Sequence, residues 1–405
     1  MRGAIIMEIR EKWKKVVGIG MAIIMTCTLA LSVHAENATS SEEKVPSVGP
    51  NGSAAVTTTA KASILVEAST GKILYENNSH EKMYPASITK IMTELLVLES
   101  IDSGRLHFTD KVSVSAHASS MGGSDIWLEP GEVMSVQDLF KAMAVNSAND
   151  AAVALGEKVA GSEPAFVNLM NQKAKLLGMN DTHFSNATGL DADDNLTSAN
   201  DIMLMSKELL KHKEIFNYTS IWMDSLRGGK TALFNTNRLI RTYQGANGLK
   251  TGSTGKAGYC LSGTAMRNGM QLIAVVMNCP TMPERFSSAA ALLDYGFANW
   301  AQATPKFFSN KLSVSVLHGQ TDTVEAVPDS AASVIVEKGK EKDIQQKISL
   351  AKNVMAPVEK GQILGQISFQ IDGKNAGSVA LRAKRSVDKI SFGHAFGKLF
   401  SAILS

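Results

Sequence analysis

The sequence predicts a body in which helices alternate with β-hairpins, followed by a small all-β domain. Two observations carry this. Between residues 60 and 300 several segments repeat apolar residues every three or four positions, the mark of helices packed on a core, with hairpin-like runs at either end. From about residue 305 to 385 the texture shifts to short alternating runs, the mark of strands. At 405 residues there is room for two domains beside processing segments, and 44% hydrophobic with 20% charged is ordinary for a globular protein.

Residues 1–35 differ from the rest. Arg2, Arg10, Lys12, Lys14 and Lys15 precede an uncharged run from Val16 to Val33, closed by Val33-His34-Ala35, which reads as a secretory signal peptide cleaved after Ala35. An uncleaved membrane anchor is the alternative, because the run is near spanning length. Ile24-Met25-Thr26 before Cys27 lacks the small residue that precedes a lipidated cysteine. The leader carries five Lys or Arg against Glu8 and Glu11, a net +3 equal to that of the whole chain, so the mature chain is formally neutral. A neutral chain gives nucleic acid no basic surface to bind.

Residues 36–58, rich in Ser, Thr, Asn, Pro and Gly, read as a flexible spacer. A first ordered domain is expected over 59–300. Ala62 to Glu67 and Lys72 to Glu76 flank Ser69-Thr70-Gly71 as a hairpin. Next comes a helix opened by Pro85, in which Ile91, Met92, Leu95, Leu96 and Leu98 predict burial on one face. Phe108 to Val133 has no clear period. Val136 to Val145 and Ala151 to Val159 read as helices on either side of the polar knot Asn146-Ser147-Ala148-Asn149-Asp150. Pro164 to Leu177 and Ser198 to Leu210 are further amphipathic helices around a Gly- and Asn-rich loop, Asn186 to Asn195. Gly258 to Met266 and Met270 to Asn278 form a hairpin about Asn268-Gly269, and Ala289 to Trp300 a last helix.

The small β-rich domain spans 301–385, with strands at Leu312 to Leu317, Ser333 to Val336, Gln362 to Ile371 and Gly377 to Ala383, the last two joined at Asp372-Gly373. Residues 386–405 place Phe392, Phe396, Leu399, Phe400, Ile403 and Leu404 on one helical stripe, with Arg382, Lys384, Arg385 and Lys389 just before it. This amphipathic helix suits a membrane interface; docking on its own domain is the alternative.

Only Cys260 and Cys279 remain after the leader. The Asn268-Gly269 turn sets Cys260 opposite Met277, so two free, buried thiols are expected. No cysteine–histidine cluster has zinc spacing, and neither a metal nor a cofactor is expected.

Three polar clusters carry chemistry. Ser87 stands one helical turn before Lys90, on the same face, where an amine could take the hydroxyl proton. That requires Lys90 neutral, with its pKa drawn down from roughly 10.4 by burial or a second cation. The spacing alone is weak, since Ser-x-x-Lys occurs at six other places, among them Ser69/Lys72 and Ser253/Lys256. Ser147 and Asn149 either point into a cleft or merely cap helices. Lys250-Thr251 could hold a carboxylate, while Gly252 would let a ligand backbone come close.

Together, Ser87-Ile88-Thr89-Lys90, Ser147-Ala148-Asn149 and Lys250-Thr251-Gly252 occur in the order used by the penicillin-recognising serine enzymes. Pro85 to Thr93, Asn146 to Leu155, His183 to Leu190 and Lys250 to Tyr259 resemble the low-molecular-mass penicillin-binding proteins that are serine-type D-alanyl-D-alanine carboxypeptidases. The resemblance covers roughly residues 60–300, and the β domain and tail helix also match that family's layout.

It implies an α/β (α+β) fold of the β-lactamase/transpeptidase type, a five-stranded antiparallel sheet flanked by helices, plus the small all-β C-terminal domain. It implies removal of the terminal D-alanine from peptidoglycan stem pentapeptides through an acyl-enzyme, for cell wall biogenesis and remodelling. The same serine would be acylated by β-lactams, and the enzyme would be held on the outer face of the cytoplasmic membrane.

On this resemblance Ser87 is the nucleophile, Lys90 the general base and Ser147 a proton relay. Asn149 holds the peptide amide, Lys250, Thr251 and Arg285 the terminal carboxylate, and the N–H groups of Ser87 and Ser253 the oxyanion. A class A β-lactamase is disfavoured by Ala148, by the extra domain and by the lack of a loop glutamate for deacylation. An idle penicillin sensor is disfavoured because every cluster is intact. An endopeptidase is nearer, and the β domain favours the carboxypeptidase only by analogy.

Overall fold

Every residue of β1 (Ala62–Glu67) is buried, Ser63 and Glu67 included, because the sheet it joins has a core on each face. The computed structural model describes residues 56–305, 311–329 and 333–396. β1 pairs with β2 (Ile73–Asn77) and with β9 (Met270–Cys279); β9 pairs with β8 (Gly258–Arg267), and β8 with β7 (Ala246–Thr254). All four pairings are antiparallel, in the order β2-β1-β9-β8-β7, so the expected five-stranded sheet forms. Alternate residues serve opposite faces. Ile64, Val66, Ile273, Val275 and Met277 enter the large core beneath the helical lobe, whereas Leu65, Leu272, Ala274 and Val276 enter a second core.

The helical lobe comprises α1 (Lys90–Asp102), α2 (Val136–Asn146), α3 (Asn149–Ala160), α4 (Glu163–Leu176) and α5 (Ala199–Leu209). The second core is closed by α6 (Met282–Asn299). Hydroxyl caps start four of these helices: Ser135, Ser162, Ser198 and Thr281 accept the N–H of Asp138, Ala165, Asp201 and Glu284. The Thr281 cap, with Pro283 in the first turn, starts α6 well before the expected Ala289. The expectation for α1 needs correction too: it is buried all round rather than on one face, because α2, α3, α4 and α5 pack about it while its start touches β7. That enclosure buries Lys90, Thr93 and Glu94 along with the leucines.

Shorter pieces complete the lobe. β3 (Lys111–Ser113) pairs with β4 (Val133–Ser135) in the stretch without period, and β5 (Met223–Leu226) pairs with β6 (Thr231–Phe234) where the sequence suggested no element. At Asn268-Gly269 both residues have positive φ (50° and 81°), as a two-residue type I′ hairpin requires. The register slips between Tyr259 and Leu261, so Cys260 is not set opposite Met277 as the turn alone predicts, and Tyr259 faces Cys279. Both thiols are free and buried, as expected.

β10 (Trp300–Ala303) leaves α6 and pairs with β13 (Val334–Glu337), and this ribbon joins the two domains. Ile335 packs in the second core while Val334 and Val336 pack in the β-domain core. Lys72 of the first domain donates to the Ile335 carbonyl at 2.8 Å and lies over the Trp300 ring. The β domain has a six-stranded sheet made of β11 (Leu312–Leu317), β12 (Thr323–Pro328), β14 (Gln345–Leu350), β15 (Asn353–Met355), β16 (Ile363–Ile371) and β17 (Lys374–Ala383). Asp372-Gly373 joins the last two with φ of 49° and 74°.

The expected signal peptide and the spacer up to residue 55 lie outside the described residues, as do residues 397–405 of the tail stripe. Phe392 and Phe396 are exposed and their rings stack. Among the described residues no helix is long and apolar enough to cross a membrane.

Packing in the lobe is close where it positions α3. Phe166 of α4 is fully buried against Gly156 of α3, where an added Cβ would lie 2.9 Å from the ring. Phe166→Ala is expected to lower stability by about 3–5 kcal/mol, read from the urea midpoint; a loss under about 1 kcal/mol would mean that α4 collapses onto α3.

Candidate active site

Ser87 lies in a single 3-10 turn, Ala86–Thr89, that leads directly into α1. Ala86 has φ of 48°, the left-handed region that a side chain rarely adopts. Two neighbours press on this turn. β7 is one of the two edge strands of the sheet, and a Cβ at Gly252 would stand 3.0 Å from the Pro85 carbonyl and 3.1 Å from the Ala86 Cβ. The space that Gly252 leaves on that side is therefore filled by the Ser87 turn rather than by a ligand, a correction to the expectation for this glycine. From the other side comes Gly189, with φ of 85°, whose missing Cβ would fall 1.7 Å from the Ala86 carbonyl.

Lys90 opens α1 and is wholly buried. Its Nζ stands 3.0 Å from Ser87 Oγ, 2.6 Å from Asn149 Oδ1 and 2.8 Å from the Thr188 carbonyl. Burial first, and then the positive charge of Lys250, hold the amine well below the ordinary lysine value. The acceptors are themselves fixed. Asn186 Oδ1 takes the N–H groups of Thr188 and Gly189, and Thr93 donates to the Ala187 carbonyl, so the loop is clamped to α1. Asn149 donates from Nδ2 to the Gly122 carbonyl at 2.6 Å. Both ends of the side chain expected to hold a peptide amide are thus engaged within the protein.

The polar knot lies in the hinge between α2 and α3. Ser147 takes a left-handed conformation, φ 64°, as the C-cap of α2, and it faces the same cavity as Ser87. Asp150 accepts the N–H groups of Ile126, Leu128 and Ala151, which pins the irregular 122–128 segment over the start of α3. The Ser124 carbonyl in turn accepts the Asn149 N–H at 2.6 Å.

On β7, Lys250 is 1% exposed and donates to the Thr251 carbonyl at 3.0 Å. Burial draws it down to about 8, with Glu94 opposing that shift and Arg285 adding to it. Thr251, Gly252 and Ser253 line the cavity, and Thr251 donates to Thr236 Oγ1. Arg285, on the first turn of α6, donates to the Gly252 carbonyl at 3.2 Å and also lines the cavity.

The three clusters, distant in sequence, therefore meet around one cavity of about 420 Å³. Its wall carries Arg238 and Arg285 and no carboxylate, a field suited to an anionic ligand. Trp222, Phe234, Thr236 and Arg238 were missed by sequence reasoning because they come from the unassigned stretch around the β5–β6 hairpin. Thr188 acts through its backbone, which has no sequence signature. Glu94 left one trace, an acid inside an apolar helical run.

Comparison with known proteins agrees with this geometry. Residues 49–281 match the family model described as D-alanyl-D-alanine carboxypeptidase, and residues 304–389 match the C-terminal domain of penicillin-binding protein 5. The chain is 42% identical over 339 residues to D-alanyl-D-alanine carboxypeptidase DacF of Bacillus subtilis, covering 82% of this chain and 87% of that one. It is 34% identical to DacC of Escherichia coli, over 85% and 88% of the two chains. Among solved structures, penicillin-binding protein 5 of Haemophilus influenzae superposes with a TM-score of 0.73 at 31% identity, covering 82% of this chain and 98% of that one. An ampicillin-bound penicillin-binding protein from Listeria monocytogenes gives 0.53 at 36% identity, over 60% and 99%. A serine at the head of a helix with its lysine buried one turn on, and family models matched along both domains, agree: the chain belongs to the serine-type D-alanyl-D-alanine carboxypeptidase family of penicillin-binding proteins.

Proposed function

We propose that Ser87 is the nucleophile of this carboxypeptidase and Lys90 its general base. One observation carries the assignment. A neutral lysine has two N–H groups and one lone pair; Asn149 Oδ1 and the Thr188 carbonyl accept both N–H groups, so the lone pair faces Ser87 Oγ. The hydroxyl then donates to Nζ, which is the arrangement that activates a serine.

The reaction follows from the cavity. A stem peptide ending in D-Ala-D-Ala presents its carboxylate to Thr251, to Arg285 and to the charge of Lys250 behind them. Ser87 Oγ attacks the carbonyl between the two D-alanines while its proton passes to Lys90. The N–H groups of Ser87 and Ser253 receive the oxyanion, a contribution of roughly 3–4 kcal/mol per donor. Ser147 relays a proton to the leaving amine, D-alanine departs, and water hydrolyses the Ser87 ester to free the shortened peptide and the serine. Asn149 anchors Lys90 and reaches the substrate only by exchanging its bond to Gly122. β-Lactams mimic the D-Ala-D-Ala end and acylate the same oxygen, in keeping with the ampicillin-bound relative.

The substrate class belongs to the bacterial cell wall, outside the cytoplasm. The exposed, stacked Phe392 and Phe396 support the further reading that the tail rests on the outer face of the cytoplasmic membrane.

Three outcomes test the assignment. Ser87→Ala should cut D-alanine release from a diacetyl-lysyl-D-alanyl-D-alanine peptide at least about 1,000-fold and abolish covalent penicillin labelling; labelling that persists would assign the nucleophile elsewhere. Because Lys90 must be neutral and Lys250 charged, kcat/KM should rise with pH as Lys90 loses its proton and fall as pH passes about 8. A profile flat across that range removes Lys250 from carboxylate capture. Gly189→Ala should push the Ser87 turn out of line and slow penicillin acylation by about 100-fold with the fold intact by circular dichroism; unchanged acylation would show that the loop yields instead.

A further inference from the structure

One buried charged group takes no part in the chemistry above. Glu94 follows Lys90 by one turn of α1, on the same face, and is completely buried. Neither of its carboxylate oxygens has a hydrogen-bond partner. An unbonded carboxylate away from water is costly unless opposite charge compensates it. The cations acting on Glu94 are Lys250, from β7, and Lys90, on its own helix; α2, α3, α4 and α5 pack on α1 and add no charge to that set. Asp125 and Asp150 act on Lys90, and Arg285, from α6, acts on Lys250.

We propose that Glu94 is a positioning residue, the buried counter-charge that keeps Lys250 cationic for carboxylate capture while Lys90 stays neutral as the base. With Glu94 ionised, Lys250 protonated and Lys90 neutral, the trio carries no net charge, the arrangement that burial tolerates best. Lys250 is the stronger of the two influences on Glu94. The carboxylate thus holds a proton on the strand lysine, and the resulting ammonium keeps the proton off the helix lysine. Burial pushes Glu94 up to about 7, so its charge is itself lost toward acid pH.

The inference rests on Lys250 as the carboxylate clamp, and the test separates the two. In the full-length protein, Glu94→Gln should move the alkaline limb of kcat/KM to lower pH by about one unit. At about pH 8.5 that is a loss of about tenfold, carried mostly by KM, with little change at about pH 6. Glu94→Asp, which keeps the carboxylate, should restore most of the limb. An equal loss at every pH would mean Glu94 only packs, and would overturn the proposal. A wild-type profile with no alkaline limb would overturn the Lys250 reading and this one together. Should Glu94→Gln not fold, the coupling is read in reverse with carboxyl-labelled glutamate in infrared spectra: Lys250→Gln should make the buried carboxylic-acid band persist to higher pH. A band that does not move overturns the proposal.

Discussion

The buried amine of Lys90 is the constraint around which the catalytic domain is arranged. An ammonium in that position would be costly, because burial and the nearby charge of Lys250 both oppose it. The neutral amine is instead accommodated by two acceptors, Asn149 Oδ1 from the head of α3 and the Thr188 carbonyl from the loop clamped to α1. Displacing either acceptor would turn the lone pair away from Ser87. Three separate parts of the chain thus converge on one nitrogen, which stands 3.0 Å from Ser87 Oγ, the geometry on which its proposed role as base rests.

The fold supplies this convergence through two surfaces. One is α1 with the 3-10 turn that leads into it, enclosed by the helical lobe, which together carry Ser87, Lys90 and Glu94 in successive turns. The other is the open edge of the sheet, β7, which brings Lys250, Thr251 and Ser253 against the Ser87 turn. Glycines at 252 and 189 let backbone approach that turn from both sides, nearer than any side chain would allow. Strain at Ala86 is the local cost of aiming the serine into the cavity, and the packing of both neighbours sustains it.

Charge completes the site. The cavity wall holds arginines and no acid, whereas the acids that act on the lysines, Glu94, Asp125 and Asp150, do not line it. On the proposed reading, an anionic substrate end meets a positive surface whose cations are balanced from within.

Some of this was legible in the residues themselves. Ser87-x-x-Lys90 must share a helix face because the helix repeat places residues three apart together, and Asn268-Gly269 must turn because both conformations there have positive φ. The apolar periods located most helices, and the order of the three clusters pointed to the reaction. Local pattern could not say that Ser147 faces the cavity while serving as a cap, nor that α1 is enclosed on every side, because both depend on what packs against them. The register slip at Cys260, the Thr188 carbonyl beside Lys90, and the arginine from beyond the β5–β6 hairpin have no sequence signature. The sequence by itself determined which groups could do the chemistry and on which elements they stand. Only the tertiary structure decided which of them share one desolvated space, because burial and proximity between distant segments set their protonation states.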